Sequence, residues 1–175
     1  MKKNNFVLWL IGLSGSGKTT LAKRIFDKLK EKKKKIEFLD GDEVRKELGD
    51  IFGYTKEERM KNIRVLQYIV KKLYTNKINV IVANISPFEE LRRNIREKIE
   101  NYIEIFLDCP LQACIQRDVK KLYKKNCNNS QKLLIGLDIP FEKPTNPDLI
   151  IDTSKESIEE SEKKILDYLK EKKFI

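Results

Sequence analysis

A glycine-rich segment near the start of the chain carries the clearest chemical signal. Residues 12–19 read Gly-Leu-Ser-Gly-Ser-Gly-Lys-Thr, which satisfies the pattern G-x-x-x-x-G-K-[ST] of a phosphate-binding P-loop. Backbone N–H groups freed of side chains can surround a polyphosphate, with Lys18 bridging the β- and γ-phosphates of ATP and the Thr19 hydroxyl binding Mg²⁺. The predicted ATP-binding residues here are Gly12, Ser14, Gly15, Ser16, Gly17, Lys18, Thr19 and Thr20.

Two carboxylates follow the second predicted strand, in the sequence Leu-Asp-Gly-Asp-Glu-Val-Arg at 39–45. This position is the carboxyl edge of a parallel sheet, where open α/β folds bind their ligands. Asp42 can accept a hydroxyl proton, and Arg45, one helical turn further on, can bind an anion. Asp40 and Asp42 could instead be only turn and helix-cap residues, and this segment alone leaves both interpretations open.

The composition excludes several kinds of chemistry. None of the 175 residues is a histidine, so a Ser-His-Asp triad, a His-ligated zinc site and a histidine phosphate carrier are all excluded. The three cysteines form no C-x-x-C pair, which argues against a disulfide framework or a zinc ribbon and favours buried or idle thiols. No apolar run reaches the length of about 18 residues needed to span a membrane, and no signal-peptide cleavage site is evident. We therefore expect a cytoplasmic protein with no membrane partner.

The net charge of +10 suggests a second class of function, a nucleic-acid-binding protein that uses the P-loop as a regulatory nucleotide site. However, the sequence has no evident recognition helix and no RNA-binding motif with stacked aromatic residues. Acidic residues are also interspersed with most of the lysines. We therefore predict a lysine-rich surface and no nucleic-acid partner.

Strands and helices alternate along the chain. Apolar runs predict strands at 6–12, 36–39, 78–83, 103–107 and 149–151, and helical periodicity predicts helices at 18–32, 55–74, 87–100, 111–118 and from 157 onwards. Thr55 and Glu58 have the spacing of a capping box at the start of the long second helix. This order predicts an α/β fold, a doubly wound parallel five-stranded sheet in a single domain over residues 1–175.

The stretch at about 119–147 fits this alternation poorly, because it is polar and interrupted by glycine and prolines. Long irregular segments inside compact domains are usually functional, and we predict a lid here. A P-loop by itself does not distinguish a kinase from a GTPase or a motor. The guanine-reading Asn-Lys-x-Asp element is absent, and the chain is short for a motor, so the pattern favours phosphoryl transfer to a small acceptor.

In this order the motifs resemble those of one family, the adenosine 5′-phosphosulfate (APS) kinases. The matching segments cover nearly the whole chain and are 12–20, 39–45, 59–64, 85–88, 117–118, 122–125, 136–142, 146–147 and 152–153. The resemblance implies a P-loop NTPase fold of the nucleotide-kinase type with a lid. It also implies transfer of the γ-phosphate of ATP, with Mg²⁺, to the ribose 3′-hydroxyl of APS, and a homodimer.

The resemblance also implies roles for individual residues. Asp42 would act as the base or orienting group for the 3′-hydroxyl, with Lys18 as the other catalytic residue, and Arg117 would stack on the adenine of ATP. The acceptor-binding residues implied by the resemblance are Asp40, Asp42, Arg45, Tyr54, Arg59, Asn62, Ile85, Ser86, Lys120 and Leu134. The chemistry agrees, because arginine forks bind phosphate or sulfate and residues three apart share a helical face. Ser86 could also cap the helix that follows Pro87.

The sequence departs from the family pattern on the acceptor side. Leu134 stands where the family has a phenylalanine that stacks on the acceptor base, and Asn84 replaces a usual aromatic, while Tyr54 retains the ring on the other side of the base. Loss of a stacked ring removes about 1–3 kcal/mol per base. A related enzyme phosphorylates the 3′-hydroxyl of cytidine diphosphoramidate in the biosynthesis of capsular phosphoramidate, and the residues leave APS and this smaller pyrimidine acceptor open as alternatives.

Overall fold

The computed structural model describes residues 5–117 and 133–175. The strands are β1 (Val7–Ile11), β2 (Ile36–Asp40), β3 (Asn79–Ala83), β4 (Tyr102–Asp108) and β5 (Leu149–Asp152). The helices are α1 (Lys18–Glu31), α2 (Gly41–Glu47), α3 (Lys56–Thr75), α4 (Glu89–Lys98), α5 (Leu111–Arg117) and α6 (Ile158–Glu171). Among these elements, every strand predicted from the sequence is present.

All five strands are parallel and form one sheet in the order β2-β3-β1-β4-β5. The central strand β1 pairs with β3 on one side and β4 on the other, so that Val7 lies opposite both Val80 and Tyr102. Parallel neighbours require crossover connections, and helices supply them here. The predicted doubly wound five-stranded α/β sheet is confirmed.

Side chains of β1 alternate between two hydrophobic cores. Leu8 and Leu10 contribute to a core that includes residues of α1 and α6, whereas Trp9 and Ile11 contribute to one that includes residues of α3 and α4. Every residue of β1 is buried, as expected for a strand covered by helices on both faces. This packing fixes the carboxyl end of β1, from which the P-loop extends.

Side-chain caps mark the starts of α2, α3 and α6. The Thr55 hydroxyl accepts a hydrogen bond from the Glu58 backbone N–H while the Glu58 carboxylate accepts one from Thr55, so the predicted capping box is present. Phe88 is the N-cap residue of α4. The alternative in which Ser86 caps that helix is therefore wrong, since its hydroxyl contacts other groups.

Helix α2 was not among the predicted elements. Asp40 caps it, because its Oδ1 accepts a hydrogen bond from the Asp42 backbone N–H at 2.8 Å. Gly41 follows with no side chain, and a Cβ there would lie 2.0 Å from Nδ2 of Asn84. The glycine of the Asp-Gly-Asp segment thus makes room for the side chain at the end of β3.

Within residues 5–117 and 133–175, no helix has the length and apolar character required to cross a membrane. Cys109 and Cys114 are buried free thiols, as predicted for cysteines without a pairing motif. Burial raises the pKa of Cys114 to about 12, so its thiol stays protonated at neutral pH.

Candidate active site

The P-loop backbone adopts conformations that glycine permits. The φ angles of Gly12, Gly15 and Gly17 are +142°, +84° and +94°. A Cβ on Gly12 would lie 2.7 Å from the Leu107 carbonyl oxygen, and one on Gly15 would lie 2.8 Å from the Cys114 carbonyl oxygen. Both conformation and close approach therefore require glycine at these two positions.

Lys18 begins α1 and is largely buried. Its ammonium group donates a hydrogen bond to the Leu13 carbonyl oxygen at 2.6 Å and lies 3.4 Å from the Ser16 hydroxyl. The side chain thus reaches back across the loop, where it can meet phosphate oxygens bound to the loop N–H groups. Ser14 is half-buried, and Thr20 lies exposed in the first turn of α1.

Asp40 joins the P-loop to the start of α2. Its Oδ2 accepts a hydrogen bond from the Thr19 hydroxyl at 2.6 Å, while Oδ1 caps α2 through the Asp42 backbone. Asp40 is 5% exposed, whereas Asp42 is exposed at the same sheet edge. One buried carboxylate therefore fixes the position of the predicted Mg²⁺-binding hydroxyl relative to the predicted catalytic carboxylate.

Two arginines lie over one tyrosine ring beside α2. The guanidinium carbons of Arg45 and Arg59 are 5.0 Å and 5.2 Å from the centroid of Tyr54. Arg45 donates to the carbonyl oxygens of Phe52 and Gly53 at 2.9 Å each, and Arg59 donates to that of Tyr54 at 3.0 Å. The sequence-predicted residues Arg45, Tyr54 and Arg59 are thus brought together.

The electrostatics of this cluster favour an anionic ligand. Burial lowers the pKa of Arg59, and the positive charge of Arg45 lowers it further, whereas the Tyr54 side chain and the Asp42 carboxylate act in the opposite direction. Two like charges held close together are stabilised by a bound anion. Arginine pairs are also suited geometrically to a phosphate or sulfate group.

Asn62 lies on α3, three residues beyond Arg59, and is 3% exposed. Among the described residues, its Nδ2 is buried without a hydrogen-bond partner. A buried donor without a partner costs about 1–3 kcal/mol, so native proteins usually satisfy such groups. The Asn62 amide is therefore suited to donate to a ligand oxygen.

The segment after β3, residues 84–88, is called the acceptor loop below. Ser86 has a φ of +45° and is buried. Its hydroxyl accepts a hydrogen bond from Trp9 Nε1 at 2.9 Å and donates to Asn84 Oδ1 at 2.9 Å. The Ile85 carbonyl oxygen accepts a bond from the Gly12 N–H at 3.4 Å, which places this loop directly against the P-loop.

The two remaining candidates within the described residues are Arg117 and Leu134, which both contact the segment that follows β4. Arg117, at the end of α5, donates to the Thr153 carbonyl oxygen at 2.6 Å and approaches Cys109 Sγ at 3.6 Å. Leu134 packs with the buried Cys109 and Cys114. The Leu134 side chain therefore contributes to a small apolar cluster. Lys120 and the neighbouring lysines at 121, 124 and 125 lie outside the described residues.

The described part of the predicted lid, residues 133–147, is called the lid return. Arg59 donates to the Leu133 carbonyl oxygen, so the lid return contacts the arginine cluster. A cavity of about 470 Å³ separates part of the lid return from the P-loop and the carboxyl ends of β4 and β5. Its lining includes Leu13, Asp108, Phe141 and Lys143.

Sequence reasoning missed one buried residue beside this site. Arg92 of α4 is 2% exposed and donates to the carbonyl oxygens of Ser86 and Glu142 at 2.6 Å each. Its spacing from Leu91 and Ile95 gives no signal that separates it from a solvated helix arginine. Only the packing of α4 shows that the guanidinium lies beneath the acceptor loop.

Comparison with known proteins supports the resemblance to APS kinases that the sequence motifs indicate. The family model for adenylylsulphate kinase matches residues 4–152. The chain is 43% identical over 168 residues to the adenylyl-sulfate kinase of Halothermothrix orenii, covering 96% of this chain and 91% of the relative. It is 39% identical over 175 residues to that of a Picosynechococcus strain, covering 100% and 99%.

Solved structures give a matching result. The Mycobacterium tuberculosis APS kinase CysC, in complex with AMPPNP and APS, superposes with a TM-score of 0.87 at 35% identity, covering 95% of this chain and 98% of that chain. The shikimate kinase of Aquifex aeolicus has a TM-score of 0.58 at 21% identity, covering 95% and 98%, and shows the shared fold alone.

Proposed function

The chain belongs to the adenylylsulphate kinase family, and from that premise we propose that it transfers the γ-phosphate of ATP to the ribose 3′-hydroxyl of APS. The products are ADP and 3′-phosphoadenosine 5′-phosphosulfate. The observation that carries the proposal is the link through Asp40, which joins Thr19 of the P-loop to the segment bearing Asp42. The proposed donor and acceptor sites would thereby meet at one sheet edge.

On the ATP side, the P-loop N–H groups and Lys18 would hold the phosphates. The ammonium group, now 2.6 Å from the Leu13 carbonyl oxygen, is positioned to offset charge that develops on the transferring phosphoryl group. Arg117 at the end of α5 would contact the adenine of ATP.

The residues present fit Mg²⁺, which prefers oxygen ligands and usually keeps several waters. The Thr19 hydroxyl would bind it, and the Asp40 carboxylate that accepts from this hydroxyl at 2.6 Å would orient the ligand or a bound water. When bound, Mg²⁺ would neutralise charge on the β- and γ-phosphates.

On the acceptor side, Asp42 would accept the proton of the 3′-hydroxyl while the hydroxyl oxygen attacks the γ-phosphorus of ATP and ADP leaves. Phosphoryl transfer passes through a loose transition state, so one positioned carboxylate suffices and a chain without histidine can perform it. Arg45 and Arg59 would bind the anionic phosphosulfate group, and the Asn62 amide would donate to one of its oxygens.

A second acceptor, cytidine diphosphoramidate, is favoured by one observation. Leu134 stands where the family places a stacking ring, and in this structure it packs with Cys109 and Cys114. Tyr54 is then left to support the base, and a smaller pyrimidine needs less stacking area. The Arg45–Arg59 cluster would bind the diphosphoramidate as it would the phosphosulfate. This acceptor would place the enzyme in capsule biosynthesis, whereas APS would place it in sulfate assimilation.

The deciding experiment measures ADP formation with Mg²⁺ and ATP in the presence of APS, cytidine diphosphoramidate, or a 3′-deoxy analogue of each. The proposal expects turnover that requires the 3′-hydroxyl, with kcat/KM higher for APS. A higher value for the cytidine compound would select the second acceptor. ADP formation that is indifferent to the 3′-hydroxyl would overturn both. Omitting Mg²⁺ is expected to abolish turnover.

The cytoplasmic location and the homodimer stay predictions. A related structure described as a hexameric APS kinase from Thiobacillus denitrificans is 28% identical, with a TM-score of 0.75, covering 99% of this chain and 30% of that chain. Light scattering of the purified chain would measure its own oligomeric state.

A further inference from the structure

Arg92 occupies an unusual position for an arginine. Its side chain is 2% exposed, although it belongs to α4, a helix whose neighbouring Arg93 is exposed. Burying a guanidinium is costly unless its donors are bonded, so each of its contacts is informative. Among the described residues its Nε makes no hydrogen bond and lies 3.9 Å from the buried Glu104 carboxylate of β4. Its Nη groups bond to two segments that are far apart in sequence.

The first segment is the acceptor loop. Arg92 Nη1 donates to the Ser86 carbonyl oxygen at 2.6 Å. Ser86 has a φ of +45°, a conformation that non-glycine residues adopt only when surrounding contacts hold them there. The bond from Arg92, together with the bonds of the Ser86 hydroxyl to Trp9 and Asn84, supplies that support.

The second segment is the lid return. Arg92 Nη2 donates to the Glu142 carbonyl oxygen at 2.6 Å and also pairs with the Glu89 carboxylate. The guanidinium carbon lies 5.8 Å from the centroid of the Phe141 ring. One planar cation therefore bonds to both segments at once, with its forked geometry matching two carbonyl oxygens.

Backbone bonds reinforce this junction. The Glu142 N–H donates to the Pro87 carbonyl oxygen at 2.9 Å, and the Glu89 N–H donates to the Glu142 carboxylate at 2.7 Å. The acceptor loop and the lid return thus form one connected unit with Arg92 at its centre. Because the Ile85 carbonyl oxygen also accepts from Gly12, this unit borders the site of transfer.

We propose that Arg92 is a positioning residue for the acceptor: it fixes the acceptor loop to the lid return, so that placement of the acceptor hydroxyl depends on one buried guanidinium. The inference rests on the proposed function, since it presupposes an acceptor bound between these segments. It predicts that a change at Arg92 raises the KM for the acceptor but not the KM for ATP, because the P-loop makes its own contacts to Lys18.

The test compares Arg92→Lys with the wild type and with Arg93→Met, a control at the exposed neighbouring position. Lysine keeps the charge but cannot bond to both carbonyl oxygens in the plane of a fork. We expect Arg92→Lys to raise the KM for the acceptor about tenfold, with the KM for ATP within about twofold of the wild type, and Arg93→Met to change neither. Thermal unfolding of each variant is measured alongside. If Arg92→Met folds, we expect it to raise the KM for the acceptor more than Arg92→Lys does.

Several outcomes would overturn the proposal. A lower melting temperature with both KM values unchanged would show that Arg92 stabilises the fold without positioning the acceptor. An equal rise in both KM values would show a general distortion of the site. A wild-type chain inactive on APS and on cytidine diphosphoramidate would overturn the proposed function itself, a result distinct from an active wild type with an unaffected Arg92→Lys variant.

Discussion

On the proposed ATP side, one continuous run at residues 12–19 supplies the loop and its lysine, whereas the proposed acceptor side draws its residues from α2, α3, the acceptor loop and the lid return. The P-loop positions its lysine by a contact within the loop, that of Lys18 with Leu13, and bonds to other segments through Gly12 and Thr19. The acceptor side is held by contacts between distant segments, such as those of Arg92 with Ser86 and Glu142.

This difference has consequences for how each side can vary. A contiguous loop keeps its shape as long as its glycines and the preceding strand are kept. An assembled site can change its ligand when a single contributing segment changes, and Leu134 is the proposed position at which to test this. Specificity depends on such pocket contacts, whereas phosphate binding depends on backbone geometry.

The largest expected effect comes from Asp42→Asn, which keeps the shape of the side chain but removes the proton acceptor. We expect kcat to fall about 10²–10⁴-fold, with the KM for ATP little changed, because the P-loop contacts remain intact. Single-turnover assays measure the chemical step directly. The exposed neighbour Glu43→Gln is the matched control. Full turnover by Asp42→Asn would mean that Asp42 has no catalytic role and serves only the structure of α2.

Lys18→Ala tests the ATP side in the same assay. Loss of the ammonium group is expected to lower kcat about 10²–10³-fold, since charge on the transferring phosphoryl group is no longer offset. The KM for the acceptor should change less than kcat, which would separate the two sides of the site. Lys23→Ala, an exposed lysine on the same helix, serves as the control. Equal losses from both lysine variants would argue against a specific role.

Leu134→Phe tests whether the acceptor side can be altered at one position. A ring at this point adds a stacking surface, and we expect kcat/KM for APS to rise about tenfold, with a smaller rise for cytidine diphosphoramidate. Leu133→Phe, at an exposed neighbouring position, should not have this effect. An unchanged kcat/KM with lower thermal stability would indicate that residue 134 serves only the cysteine cluster.

The smallest expected effect concerns the support of α1, the helix that carries Lys18. Burial alone would raise the pKa of Glu162 in α6, but hydrogen bonds from Lys28 and Arg24 lower it below its usual value. The folded state therefore binds this proton less readily than the unfolded state. The resulting stabilisation is complete above the ordinary carboxyl pKa and is lost as the pH falls through the lowered folded value.

Urea unfolding measured from pH 7 down to pH 3 checks this expectation. The wild type should lose stability on acidification, and Glu162→Gln should start less stable and show a shallower decline. Asp27→Asn is the control, because within residues 5–117 and 133–175 no ion pair joins this carboxylate of α1 to α6. Identical pH profiles for the wild type and Glu162→Gln would contradict the assignment.

Much of the fold followed from local patterns. The apolar runs gave all five strands, and the Thr55–Glu58 spacing gave the start of α3. Helix α2 was missed because it is short. Asp40 caps its start, and Gly41 fits against Asn84, a residue far away in sequence. The acceptor role of Ser86 was a prediction from resemblance, but its bonds to Trp9 could not be read from the chain.

The sequence by itself determined the P-loop, the alternation of strands and helices, and the residue types available for phosphoryl transfer. These depend on glycine conformations, hydrophobic periodicity and caps, all of which act over a few neighbouring residues. Only the tertiary structure decided that Arg92 is buried, that the Asn62 amide lacks a partner among the described residues, and that Arg45 and Arg59 share one ring. Burial and charge proximity arise when distant segments pack, and spacing along the chain does not record them.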